Sequence, residues 1–143
     1  MKILVINGPN LNLLGKREKT FYGELTLEEI EKIIKNNFPE DDFEFVQSNS
    51  EGEIIDKLHN CEEENFEGVI INPGGYAHTS VAIRDALEIL KILKIEVHLS
   101  NLSKREDFRQ TLITASACDG YISGFKEKGY LSAIYLLHSI LQK

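Results

Sequence analysis

Residues 68–90 read GVIINPGGYAHTSVAIRDALEIL. Gly68-Val69-Ile70-Ile71 is a continuous apolar run of strand length. Asn72 to Ser80 is a polar loop with two glycines. Ile83, Ala86, Leu87 and Leu90 then recur at i, i+3, i+4 and i+7, the apolar face of a helix. A buried strand that passes through a short loop into a helix is half of a βαβ unit, and such units build parallel sheets.

The same alternation runs outward in both directions. Ile3-Leu4-Val5-Ile6, Phe43-Glu44-Phe45-Val46, Ile95 to Leu99 and Gly120-Tyr121-Ile122 read as further strands. Leu27, Ile30, Ile34 and Phe38 stripe one helix, Ile54, Ile55 and Leu58 mark another, and Tyr130, Ile134, Leu137 and Leu141 stripe a C-terminal one. Three S/T-x-x-E pairs, Thr26–Glu29, Ser50–Glu53 and Ser103–Glu106, predict helix starts as capping boxes. The fold expected is α/β: a flavodoxin-like, doubly wound, five-stranded parallel sheet of order 2-1-3-4-5, with helices on both faces. The 143 residues suit a single flavodoxin-like domain, 1–143, with no repeat, linker or low-complexity tract.

Composition narrows the function. The formal net charge is −7, which argues against a nucleic-acid partner. Glu24–Glu67 holds 15 acidic and 3 basic residues. The rest is basic in balance, with Lys16, Arg17, Lys19, Arg84, Lys104, Arg105 and Arg109 as candidates to receive a small anion. No apolar run approaches the ~20 residues that span a bilayer, so no membrane association is expected. Cys61 and Cys118 are far apart and lack CxxC spacing, which suits the cytoplasm. His59, His78, His98 and His138 show neither HxH nor HxxxH spacing, and there is no GxGxxG or Walker loop. No metal and no cofactor are therefore expected.

In a doubly wound sheet, ligands bind beyond the carboxyl ends of the strands, at the switch point. That nominates the loops Asn7–Gly23, Asn72–His78 and Ser100–Arg109. The first holds Asn7, Asn10 and Asn12, then Arg17 and Tyr22; it exceeds the usual 2–6-residue connection and reads as a lid. Turn-making is the common use of such asparagines, and packing that of a tyrosine. A cation beside a phenol favours the phenolate, however, and a phenolate is a general base. The second loop offers glycines, N–H donors and His78. In the third, alternation puts Glu96 and His98 on one strand face. They form either a satisfied structural pair or a general acid with its orienting carboxylate.

The chain resembles the type II 3-dehydroquinate dehydratases. The resemblance is carried by INGPNLNLLGKRE with Tyr22-Gly23, QSNSEGEIID, INPGGYAHTSVAIRDAL, EVHLSNLSKREDFR, and GF with GYLSAI near the end, in order over nearly the whole chain. It implies dehydration of 3-dehydroquinate to 3-dehydroshikimate in the shikimate pathway, without metal, cofactor or Schiff base. By matching position it implies Tyr22 as base with Arg17 as its cation, and Asn10 as stabiliser of an enolate through a water. It implies His98 as acid with Glu96 as its partner. Asn72, Leu99 and Ser100 match substrate-binding positions, with the last two holding a carboxylate through backbone N–H groups. His78 and Arg109 match contacts to ring hydroxyls. Asp85 matches a residue that reaches a neighbouring subunit's site, and Arg105 a basic position near the lid. The assembly implied is a homododecamer, a tetramer of trimers. Ser50, Ser103 and Gln110–Ala117 depart from the family pattern at the lid and rim.

Two other readings fit parts of the sequence. One is a non-enzymatic module of this fold that binds a small anion or a protein. The other is a hydrolase using Ser100 with His98, which lacks the strained turn that exposes a nucleophile.

Overall fold

The computed structural model describes residues 1–143. Five parallel strands form one sheet: β1 (Lys2–Asn7), β2 (Asp42–Gln47), β3 (Gly68–Asn72), β4 (Leu93–His98) and β5 (Gly120–Ser123), in the order β2-β1-β3-β4-β5. The expected order and parallel pairing are therefore observed. β1 and β3 are central and covered on both faces, which is why their sequences are continuous apolar runs. Their side chains still alternate. Ile3 and Val5 enter one core while Leu4 and Ile6 enter the other.

Five α-helices accompany the sheet: α1 (Lys19–Tyr22), α2 (Leu27–Asn37), α3 (Glu51–His59), α4 (Val81–Ile89) and α5 (Lys128–Leu141). α2 and α5 place Leu27, Ile30, Ile34, Tyr130, Ile134 and Leu137 in one core. α3 and α4 place Ile54, Leu58, Ile83 and Leu87 in the other. Burying each such side chain stabilises the fold by roughly 1.5–3 kcal/mol. No helix is long and apolar enough to cross a membrane.

Of the three expected caps, two are present. Thr26 Oγ1 accepts from Glu29 N–H and Ser50 Oγ from Glu53 N–H. The glutamate of the second does not return the bond; its carboxylate takes the Ser48 hydroxyl instead. The third start, Ser103, is a correction. Ser103 lies inside a short 3-10 turn, Leu102–Lys104, whose cap is Asn101. No α-helix joins β4 to β5; two further 3-10 turns, Asp107–Gln110 and Thr114–Ala117, follow instead. The physical reason is that Ser103–Gln110 has one apolar residue, Phe108, and it is exposed. A helix there would have no face to bury. α4 is capped by Ser80, which accepts from Ile83 N–H. An isoleucine at the third position hides this cap from the S/T-x-x-E pattern.

The switch point lies between β1 and β3. Their last residues, Asn7 and Asn72, are register partners, and Gly8 N–H donates to Asn72 O at 2.7 Å. A Cβ on Gly8 would stand 2.5 Å from Pro73 O, so only glycine allows this approach. The three nominated loops meet above this point.

Candidate active site

The cleft at the carboxyl edge encloses about 100 Å³. Its lining includes Asn10, Arg17, Tyr22, Asn72, His78, His98, Leu99, Ser100, Arg105 and Arg109, and no aspartate, glutamate or lysine. Three guanidinium groups with no lining carboxylate suit it to an anion. Of the expected site residues, Glu96 stands behind the wall and Asp85 lies elsewhere; of the basic candidates, Arg17, Arg105 and Arg109 line the cleft, whereas Lys16, Lys19, Arg84 and Lys104 do not. Asp85 is largely exposed on α4, paired with Arg84 Nη1 at 3.1 Å.

The lid supplies Tyr22. Leu11 and Leu14 are buried and pin the first half of the loop to the core. Gly15 and Gly23, with φ of 93° and 77°, bracket the second half, which carries Arg17 and α1. The Arg17 guanidinium lies over the Tyr22 ring, 3.7 Å from its centroid. It therefore covers the aromatic face rather than the hydroxyl. The Tyr22 oxygen takes its bond from Arg105 Nη1 at 3.1 Å, and the same nitrogen reaches Ser100 Oγ at 2.9 Å. Glu106 bridges Arg105 and Arg109, at 3.3 and 2.7 Å. The Arg109 bond, then that from Arg105, holds the Glu106 carboxyl below its ordinary range.

β4 supplies the opposite wall. Glu96 and His98 share a face, and His98 Nε2–H donates to Glu96 Oε2 at 2.7 Å. Glu96 is fully buried and His98 nearly so. The bond to Nε2 leaves Nδ1 without a protein partner, at the cleft. The next two residues, Leu99 and Ser100, are buried, yet their N–H groups have no acceptor within the chain. Buried N–H groups ordinarily find partners, so two adjacent free ones suit an incoming carboxylate.

His78 faces His98, with ring centroids 6.2 Å apart. Its Nδ1–H donates to Thr111 O at 2.8 Å, and its buried Nε2 has no partner. Burial, and then the charges of His98 and Arg109, hold His78 below the ordinary imidazole range. It is a neutral ring presenting an acceptor. Asn72 is fixed by α5: Tyr130 OH donates to Asn7 Oδ1 at 2.5 Å and accepts from Asn72 Nδ2 at 3.2 Å. Asn72 Oδ1 takes Gly74 N–H at 3.2 Å. Burial pushes the Tyr130 phenol up, so it stays a neutral hydroxyl. Asn10 enters the cleft at a left-handed φ of 68°, its N–H held by Asn49 Oδ1 at 3.0 Å.

Sequence reasoning missed the direct Arg105–Tyr22 bond, because 83 positions separate the two. It read Tyr130 only as part of an apolar stripe and passed over Thr111 and Thr114. No local signal marks a hydroxyl or carbonyl that acts across the fold.

The family model described as dehydroquinase class II matches residues 1–138. A 3-dehydroquinate dehydratase of Thermotoga petrophila is 50% identical over 145 residues, covering 100% of this chain and 99% of the relative. One from Caldicellulosiruptor bescii is 53% identical, covering 98% of each. Among solved structures, the type II dehydroquinase from Butyrivibrio crossotus superposes with a TM-score of 0.94 at 48% identity. That match covers 96% of this chain and 97% of the other.

Proposed function

The chain belongs to the class II dehydroquinase family, and on that premise we propose that it is a hydro-lyase converting 3-dehydroquinate to 3-dehydroshikimate and water. The observation that supports this most is the placement of Tyr22 and the Glu96–His98 pair in one arginine-lined cleft, beside two free N–H groups. The substrate is a carboxylate with a ketone at C3 and a hydroxyl at C1. Its carboxylate binds the N–H groups of Leu99 and Ser100. Asn72, His78 and Arg109 take the ring hydroxyls; the neutral Nε2 of His78 accepts one.

Tyr22 removes a proton from C2, which the adjacent ketone acidifies. Arg105 Nη1 donates to the oxygen that takes the proton, and Arg17 covers the ring face. The electrons move to the ketone oxygen as an enolate, which Asn10 stabilises through a water. The enolate then collapses, forming the C1–C2 double bond and expelling the C1 hydroxyl. His98 gives that hydroxyl its proton, so it leaves as water, and Glu96 supports the imidazolium that does so. Tyr22 ends protonated and His98 neutral; the cycle closes when Tyr22 loses its proton to solvent and His98 takes one from it.

No lysine lines the cleft, so an imine route lacks its nucleophile here. A homododecamer built from trimers is the proposed assembly, with Asp85 completing a neighbour's site. The cytoplasm is the proposed location. Burial pushes the thiols of Cys61 and Cys118 up to about 11 and about 12, so both stay unreactive there. The deciding test mixes the protein with 3-dehydroquinate and follows the ultraviolet absorbance of the conjugated product. A rise is expected; none with folded protein would refute the reading.

A further inference from the structure

Glu96 has two oxygens, and the histidine uses only one. The other, Oε1, takes the hydroxyl of Thr114. Thr114 is fully buried, as is Glu96. It opens the 3-10 turn Thr114–Ala117 between β4 and β5. That turn is anchored independently of the cleft. Ile113 N–H donates to Ala77 O at 2.8 Å, Ser116 Oγ donates to Ile113 O at 2.7 Å, and Arg84 Nε donates to Ser116 Oγ at 3.1 Å. Three residues before Thr114, the Thr111 carbonyl fixes His78. One short segment therefore reaches both imidazoles, directly at His78 and through Glu96 at His98.

A carboxylate held by a single bond turns freely about its last torsion, which is broad and two-fold. A second donor on the far oxygen fixes its plane. A fully buried carboxylate oxygen without a donor is costly, so losing the Thr114 hydroxyl would favour any rotation of Glu96 that finds another partner. Such a rotation would carry Oε2 away from His98 Nε2. No other donor reaches Oε1.

We propose that Thr114 is a positioning residue for His98: its hydroxyl fixes the plane of the Glu96 carboxylate, so that Glu96 Oε2 stays on His98 Nε2–H and His98 presents Nδ1 to the substrate. This rests on the dehydration assigned above. Thr114→Val keeps the shape and removes the donor. Its kcat should fall by about 10- to 100-fold, the usual effect of losing the partner that orients a functional histidine, with KM nearly unchanged. Thr114→Ser should restore most of the rate. In the unliganded protein, ¹⁵N-resolved proton NMR should show a downfield Nε2 proton on His98 that is present in wild type and the serine variant and lost with valine. Where the valine variant does not fold, Thr114→Ala supplies the same two readings.

A valine or alanine variant with wild-type kcat and an intact Nε2 resonance overturns the proposal. So does a loss of rate that serine does not rescue, since packing alone would then explain it. Absence of turnover by the wild-type protein would instead refute the dehydratase reading. The resonance would still decide whether Thr114 holds the Glu96–His98 bond in place.

Discussion

A free phenol, with a pKa near 10, is about one part in a thousand ionised at pH 7, so a tyrosine base depends on its surroundings. The sequence pointed to Arg17 as the cation that serves Tyr22. In the fold Arg17 lies on the ring face and Arg105 donates to the oxygen. A hydrogen bond to the charged form stabilises it more than a charge over the ring, whose face is itself electron-rich. Tyr22→Phe should fold normally and lose at least the 10²–10⁴-fold typical of a missing general base. Arg105→Ala should lower kcat more than Arg17→Ala does, and steady-state kinetics of the two variants checks the order. The reverse order would return the role to Arg17. The Glu96–His98 pair makes a different demand. With a bond of 2.7 Å between them, the two act as one unit. His98→Ala and Glu96→Gln should each cost about 10²–10⁴-fold in kcat, and the double variant little more than the worse single. Multiplicative losses would show that the two side chains work apart.

Elements were legible where burial repeats with a period. β1 and β3 read correctly because a strand covered on both faces must be apolar throughout, and α2 and α5 because each buries one stripe. Ser103–Ala117 did not, because its conformation is fixed by distant partners. Gln110 Nε2 donates to Leu102 O at 2.7 Å, and Ile113 N–H to Ala77 O, and neither bond leaves a periodic trace. The cleft followed the same division: its strand-borne pair was readable from alternation, its cross-fold bonds were not. α5 offers a further test at this scale. His138 donates from Nε2 to Asp41 Oδ2 at 2.6 Å and from Nδ1 to Lys143 O at 2.8 Å. Two acceptors call for a doubly protonated ring. The Asp41 bond raises the His138 pKa, against burial and the Met1 ammonium, which shares Asp41. A raised folded value means the stabilisation is complete below about pH 6.5, the unfolded value, and fades as pH rises through the folded one. His138→Gln also loses stacking on Phe38, at 5.9 Å, at every pH. Thermal melts should therefore show a gap from wild type that is largest near pH 5.5 and smaller, not absent, well above the folded value. An equal gap at both ends would remove the ion pair from the account.

At the scale of the molecule, charge and apolar surface lie at opposite edges of the sheet. The acidic segment Glu24–Glu67 contains α2, β2 and α3, and β2 is one edge strand. The other edge is β5, where Tyr121, Leu136 and Ile140 are exposed around one shallow groove. Phe125 is exposed just beyond the end of β5. Association through the β2 edge would press like charges together, whereas the β5 and α5 side buries apolar surface with little repulsion. Asp85 is exposed and stands outside its own chain's cleft, and the proposed role in a neighbour's site makes it the residue that tests association. Light scattering should give a mass that is a multiple of three 16.2 kDa chains, with twelve expected. Ile140→Asp sets a charge in the apolar groove and should shift the population to smaller species without unfolding the monomer, since Ile140 is 55% exposed. Asp85→Ala should keep the assembly and weaken substrate binding. The contrast is what decides: an active monomer, or an Asp85→Ala protein with unchanged KM, would mean that each cleft is complete within its own chain.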